Sequence, residues 1–281
     1  MKTPIVSVIT PTYNRAELLK ETVGSILNQT FGDFEYIVVD DGSTDDTSTV
    51  LRALKDPRMR VLEQTNQGEV SAINRGWSEA RGRYIAIVSS DDPMLPLWLE
   101  AMVQALDGDP AATVAYPDWI MIDDEGETEQ VIRTRDYKQH EMVAEFNAPA
   151  GPGALIRKSA GDLLSSPRRP EFRYCADLDM WLRLSMIGHL VRVPKVLATW
   201  RSHPDSISVA ERSYQRAEEL VALAHDFFAR KDLPFEVEVL RNRGLYSAFK
   251  LAAWVLEDTD ATVAAEYTKR ANYMYPEGVV T

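Results

Sequence analysis

Cysteine is nearly absent from this chain: Cys175 is the only one in 281 residues, so no disulfide can form within it and a reducing compartment is expected. Long hydrophobic runs are missing as well. Nowhere do about 18 consecutive apolar residues occur, the length a membrane-spanning helix needs. Positive charge is scarce, with 31 Lys and Arg against 43 Asp and Glu and a formal net charge of -12. That balance argues against a nucleic-acid surface and against a polybasic membrane anchor. No Gly-x-Gly-x-x-Gly follows the first apolar run, which disfavours a dinucleotide oxidoreductase. A phosphorylated ligand would therefore need a metal ion or helix N-termini to hold it.

What the chain does have is acid in pairs. Asp40-Asp41 and Asp91-Asp92 each follow a short apolar run, Tyr36 to Val39 and Tyr84 to Val88. In an open parallel sheet, ligands bind beyond the carboxyl ends of the strands, so these carboxylates are expected to line a crevice. Either pair could be only a turn and helix cap, yet one Asp suffices for a cap. Two adjacent like charges cost stability unless a cation relieves them. A hard divalent ion accepts such ligands and commonly keeps phosphate oxygens as its others.

The first hundred residues alternate strand-like and helix-like patterns four times, the mark of a parallel α/β sheet. Ile5–Ile9 precedes the stripe Leu19, Val23, Ile26 and Leu27, whose helix start suggests a capping pair of Asn14 and Glu17. Tyr36–Val39 precedes 43–54, Arg60–Leu62 precedes 70–80, and Tyr84–Val88 precedes 96–106. Beyond Ala112–Tyr116 the regularity breaks. Residues 119–123 and 128–133 read as a hairpin, 154–157 as a short strand, 177–187 as a helix and 191–200 as extended. From about Ser208 the pattern is helical, over 214–230, 235–256 and 261–274. One main domain with a smaller appendage is expected.

Four segments together resemble a known family. Val6-Ser-Val-Ile-Thr-Pro-Thr-Tyr-Asn-Arg15, Val38-Val-Asp-Asp-Gly-Ser-Thr-Asp-Asp-Thr47, Asn66-Gln-Gly68 with Asn74-Arg-Gly76, and Ser89-Ser-Asp-Asp92 are similar to the nucleotide-binding half of family 2 inverting glycosyltransferases. The order and spacing match from residue 6 to about 110, with weaker marks to about 208. The resemblance implies a GT-A-type α/β fold: a mixed, mostly parallel sheet flanked by helices, with a helical C-terminal segment. It divides the chain into a nucleotide-sugar-binding half (1–110), an acceptor and catalytic half of the same domain (111–207), and a helical segment (208–281).

By the same resemblance, Pro11 and Tyr13 wall the base and ribose of a nucleoside-diphosphate sugar, UDP or dTDP in type, and Asp41 accepts a hydrogen bond from the base. Asp91 and Asp92 hold the ribose and the metal-diphosphate, with Asp92 the metal ligand and Mn2+ or Mg2+ the cofactor. Many members carry an aspartate two residues before Asp91, where this chain has Ser89. Ala176-Asp-Leu-Asp-Met-Trp-Leu-Arg-Leu184 resembles the family's acidic helix start, which makes Asp177 the general base that deprotonates an acceptor hydroxyl. Asp179, four residues before Arg183, reads as an ordinary helix ion pair. In Trp200-Arg-Ser-His203, His203 is a candidate ligand of the metal or diphosphate, and Arg201 a candidate neutraliser of leaving-group charge. Cys175 reads as a buried, inert thiol.

The expected activity is metal-dependent, inverting transfer of one sugar to a saccharide or lipid-linked acceptor. A Gln-x-x-Arg-Trp sequence, the mark of processive synthases, is absent. The alternative is a non-catalytic nucleotide-sugar-binding regulatory protein, which would have no need of a carboxylate at 177. A phospho-acceptor receiver domain also sets an acidic pair at a strand end, but its pair follows the first strand. The expected location is the cytoplasm, at most peripheral to the inner face of a membrane through the acceptor. Leu220, Leu223, Ala224 and Phe227 form an apolar face that either packs on the rest of the chain or joins a homodimer. Donor sugar, base, acceptor and linkage are not written in these motifs.

Overall fold

The computed structural model describes residues 3–202 and 212–275. His203 lies outside the described residues. The chain divides into two compact units. One comprises 1–136, 149–168 and 187–202, and the other comprises 137–148, 169–186 and 203–281.

The first unit is built on one sheet, which has eight strands among the described residues, in the order β3-β2-β1-β4-β7-β5-β6, with β8 also paired to β5. The strands are β1 (Val6–Thr12), β2 (Phe34–Asp40), β3 (Met59–Glu63), β4 (Tyr84–Ile87), β5 (Ala112–Ile122), β6 (Thr128–Ile132), β7 (Leu155–Arg157) and β8 (His189–Arg201). β1 runs parallel to β2 and β4, β2 to β3, and β5 to β8. β7 is antiparallel to both its neighbours, and β6 is antiparallel to β5. The fold is thus the mixed α/β sheet flanked by helices that the family resemblance implied, and the strand–helix pattern of the first hundred residues gives its parallel part.

β1 and β2 are buried along their whole lengths. Central parallel strands have helices on both faces, so an unbroken apolar run suits them better than alternation. The helices α1 (Ala16–Leu27), α2 (Thr47–Ala53), α3 (Glu69–Glu79) and α4 (Trp98–Gly108) supply those covers. In α1 the buried residues are Leu19, Thr22, Val23 and Ile26, which share one helical face. α3 lies close on β1 because residue 76 is glycine: a Cβ there would stand 2.5 Å from Ile9 Cγ2. In the core, Trp98 is fully buried and its indole Nε1 donates to Gly153 O at 2.7 Å.

Two local readings are corrected. Asn14 and Glu17 do not cap α1. Its N-cap is Arg15, without a side-chain cap, while Asn14 sits at φ 53° and its Oδ1 accepts Thr44 N at 2.7 Å. The Asn side chain is short enough to satisfy the neighbouring loop instead of its own helix. Residues 112–122, read as two strands, form one continuous β5, with register shifts around Pro117 and Asp118. Proline breaks the ladder without ending the strand because the pairing is resumed past a bulge.

The second unit holds α5 (Gln139–Glu145), α7 (Ala176–Ser185), α8 (Tyr214–Ala229), α9 (Phe235–Glu238), α10 (Arg241–Leu256) and α11 (Ala261–Met274); the short α6 (Lys158–Gly161) belongs to the first. Ala217, Ala252, Ala253, Val255, Leu256 and Ala264 form one of its hydrophobic clusters, with Leu220 packed on it. Leu223, Ala224 and Phe227 are buried in this single chain. The apolar face of α8 is therefore covered from within the chain and does not call for a second copy.

Asp179 forms the expected i, i+4 pair with Arg183, but the pair is buried and joined by a second arginine. Asp179 is 1% exposed, and its carboxylate receives Arg169 on Oδ1 (2.6 Å) and Arg183 on Oδ2 (2.5 Å). Burial draws the Arg183 guanidinium below its ordinary pKa, although the Asp179 hydrogen bond opposes this. Arg169 in turn reaches Asp226 at 2.7 Å. This is a buried charge network, which a one-dimensional i, i+4 reading could not show. Removing one member of a buried pair leaves an uncompensated charge, so Asp179→Asn is expected to destabilise the protein by about 3–5 kcal/mol. Urea unfolding would reveal it; an unchanged midpoint would show that the network contributes nothing.

Candidate functional site

The carboxyl ends of β1, β2 and β4 meet at one edge of the first unit because β1 is paired to both others. Thr12 lies opposite Asp40 in the ladder, Asp41 N donates to Thr12 O at 2.9 Å, and Val88 N donates to Ile9 O at 2.9 Å. This brings Pro11, Tyr13, Asp41, Asp91 and Asp92 to the same end of the sheet. Pro11 is buried in the ladder, while Tyr13 is 44% exposed. Thr12 Oγ1 is buried with no hydrogen-bond partner. An orphaned hydroxyl at a strand end is the kind of exception that a ligand site can explain.

The first acidic pair divides its work. Asp40 Oδ1 accepts Ser43 N at 2.9 Å and Oδ2 accepts Ser48 Oγ at 3.0 Å, which ties the turn to α2. Asp41 Oδ1 accepts Gln64 Nε2 (2.7 Å) and Gln67 N (2.9 Å), and Oδ2 accepts Gly68 N (2.8 Å). Asp41 thus fixes the 64–68 loop and the start of α3. A carboxylate has about four acceptor directions, so three N–H donors leave room for one more. Gly42 makes this closure possible. It sits at φ +78°, where L side chains strain, and a Cβ would meet Asn66 N at 2.8 Å.

The second pair is asymmetric. Asp92 is 6% exposed, and its carboxyl is pushed up to about 8 by burial first and by the charge of Asp91 second. Hydrogen bonds from Arg201 N (2.8 Å) and from the Ser89 side chain pull the other way without winning. Ser89, which replaces the aspartate of many resembling sequences, is thus a neutral partner of Asp92. Among the described residues, no group of three or more His, Cys, Asp or Glu side chains is placed to hold a metal. Asp91 and Asp92 are two adjacent carboxyl groups at this strand end, oxygen donors of the kind a hard divalent ion takes.

Arg201 was read as a leaving-group neutraliser, and the structure gives it other partners. It is 2% exposed. Nε donates to Asp91 O (3.0 Å), NH1 to Asp123 O and Asp124 O (both 2.9 Å), and NH2 to Glu21 Oε2 (2.5 Å). Its guanidinium fastens the acidic turn to the β5–β6 turn and to α1. The planar five-donor fork suits that task better than a lysine would. Sequence reasoning missed this clamp, since three of its four partners are backbone carbonyls that any residue supplies and the fourth, Glu21, lies 180 residues away.

In the second unit, Asp177 stands exposed in the first turn of α7, and its Oδ1 accepts Leu178 N at 2.7 Å. Leu178 is half-buried, whereas Trp181 and Leu182 are buried. Cys175 is buried, and burial, then the neighbouring Glu219 and Asp177 charges, push its thiol far above the ordinary range. That suits an inert thiol.

The family model for glycosyl transferase family 2 matches residues 7–160, more than half of the chain. The chain belongs to glycosyl transferase family 2. That membership makes it a glycosyltransferase by class. An uncharacterized glycosyltransferase of Haemophilus influenzae is 28% identical over 218 residues, covering 73% of this chain and 68% of that protein. Several other curated relatives are much longer, and the match spans 23% to 31% of their length. Among solved structures, S. aureus TarS 1-349 in complex with UDP-GlcNAc is similar, with TM-score 0.68 and 16% identity over 95% of this chain and 79% of that one. The mannosyltransferase PcManGT from Pyrobaculum calidifontis, in complex with GDP-Man and Mn2+, gives TM-score 0.68 and 21% identity over 100% of this chain and 77% of that one. These likenesses establish the GT-A-type fold. No helix among the described residues is long and apolar enough to cross a membrane.

Proposed function

We propose that this family 2 chain moves one sugar from a nucleoside-diphosphate sugar, UDP or dTDP in type, to an acceptor hydroxyl with inversion at the anomeric carbon. The observation that carries the reading is the Asp91-Asp92 turn: two adjacent carboxyl side chains, that of Asp92 buried, at the strand ends that also bear Tyr13 and Asp41. In this reading Tyr13 offers its ring to the base, with Pro11 behind it in the strand. Asp41 uses its remaining acceptor direction on the base, and Asp91 binds the ribose. Asp92 would hold the divalent ion, Mn2+ or Mg2+, which supplies charge neutralisation to the departing diphosphate when bound. Arg201 keeps the acidic turn in shape and does not itself meet the diphosphate.

Asp177 is proposed as the base. A hydroxyl attacking the anomeric carbon opposite the leaving diphosphate must lose its proton, and by analogy with inverting glycoside chemistry one carboxylate takes it. An exposed carboxylate held at a helix start supports this role. TarS and PcManGT were solved with UDP-GlcNAc and with GDP-Man, so the base preference is open to test.

The test is a thermal-shift panel of UDP, dTDP and GDP and their sugars, with Mn2+, with Mg2+ or with EDTA. A ligand at 100 times its Kd stabilises by about 2.7 kcal/mol. A shift with UDP or dTDP that requires the metal is expected. Equal shifts with and without metal would exclude the metal-diphosphate role of Asp92, and a shift with GDP alone would overturn the base assignment.

A further inference from the structure

The C-terminal helix α8 lies outside the segment that defines the family, residues 7–160, yet it holds the approach to Asp177. Glu219, in the middle of α8, is 9% exposed. Its Oε2 accepts Arg173 N at 2.9 Å and Tyr174 N at 2.7 Å, and the Cys175 Sγ approaches the same oxygen at 3.8 Å. Three consecutive residues are therefore gathered on one carboxylate oxygen. Cys175 is the N-cap residue of α7 and makes no side-chain cap. The stabilisation that a Ser or Asp cap normally gives a helix start is thus lacking here. Asp177 follows two residues later.

A second contact from α8 fixes the other end of the same segment. Asp226, seven residues after Glu219 and so on the same face of the helix, pairs with Arg169 at 2.7 Å. Arg169 also binds Asp179 within α7. Both ends of the 169–175 loop are thus pinned by one face of α8, and the N–H groups of its final turn point at a charged acceptor. Charge-assisted hydrogen bonds are roughly twice as strong as neutral ones. Holding such a carboxylate out of water is costly, and the two N–H donors offset part of that cost.

We propose that Glu219 is a positioning residue for the reaction: it sets the turn 173–175 and, through it, the place of the Asp177 carboxylate. The C-terminal helices then serve the catalytic step. This rests on the reading of Asp177 as the base. A small misplacement of a reacting group lowers turnover without touching ground-state binding, so the effect should fall on kcat.

The experiment compares Glu219→Met, Glu219→Gln, Glu219→Ala and Asp177→Asn in the full chain. Turnover is read as nucleoside-diphosphate release from whichever UDP- or GDP-sugar the wild type uses best, with UDP and GDP affinity by calorimetry and amide exchange at 173–178 by mass spectrometry. Glu219→Met fills the same space but offers only a weakly accepting, uncharged thioether, and is expected to lower kcat at least tenfold, with nucleotide affinity within twofold and faster exchange at 173–178. Glu219→Gln keeps one acceptor oxygen and should recover most of that loss; Glu219→Ala should match Met. If folded Met or Ala protein turns over at the wild-type rate, or if Gln is no better than Met, the proposal is overturned. Asp177→Asn separates the two readings. A wild-type rate for that variant refutes the base assignment itself, whereas a dead Asp177→Asn beside a fully active Glu219→Met refutes only the positioning role.

Discussion

Asp177→Asn is expected to lower turnover by roughly 10²-fold or more while leaving nucleotide-sugar binding intact. The substitution keeps size and shape, and the amide oxygen can still accept Leu178 N, the hydrogen bond that orients the side chain now. What disappears is the ability to take a proton. Because Asp177 is exposed, the change costs the fold little. Asp179→Asn cannot serve as its control, since Asp179 is a buried partner of two arginines. The exposed Glu171, in the same loop, is the better comparison, and Glu171→Gln should retain the wild-type rate. The measurement is the single-turnover transfer rate at matched donor occupancy. A wild-type rate for Asp177→Asn would move the base to another residue.

The second large effect concerns pH and metal at Asp92. Its carboxyl rests at about 8 in the folded chain, against an ordinary value of 3.8. The folded state therefore binds more protons than the unfolded state between those limits. Stability contributed by the protonated form is fully present below the unfolded value and is lost as pH rises through about 8. Metal-free wild type should accordingly lose thermal stability from pH 6 to 9. Asp92→Asn, which cannot ionise, should show a flatter profile and a higher Tm than wild type at pH 9.

A divalent ion must displace that proton, so its affinity should rise up to about tenfold per pH unit until pH 8 and level off above. Asp92→Asn should abolish the gain in UDP affinity that Mn2+ gives over EDTA. Calorimetry across pH reads both effects. Parallel stability curves for the two proteins would show that Asp92 is ionised throughout, and an undiminished Mn2+ effect would place the ion on other ligands.

How much of this was written in the chain depends on how local the cause is. Alternating apolar runs and helical stripes over the first hundred residues specify strand and helix through side-chain period alone, so α1 to α4 and β1 to β4 could be read directly. The acidic pairs could be placed at strand ends for the same reason, because the strand that precedes each is unmistakable. The family motifs added roles to residues whose neighbours are close in sequence. Even the helical C-terminus was visible, down to the bounds of α11.

The tertiary structure decided what depends on partners far along the chain. Arg201 looked available for phosphate until the fold set it against the carbonyls of Asp91, Asp123 and Asp124. Asp41 looked like a ligand contact and proved also to be the acceptor that shapes the 64–68 loop. Asp92 differs from Asp91 in burial, and that difference sets its proton affinity. Glu219 gave one faint signal, a charge four residues before Leu223 on the buried stripe of α8, but its two N–H donors lie 45 and 46 residues away. Period and motif fix secondary structure because they act between neighbours. Desolvation and backbone hydrogen bonding act between residues that only folding brings together, so the sequence alone determined the sheet and its candidate site while the fold assigned each charge its partner.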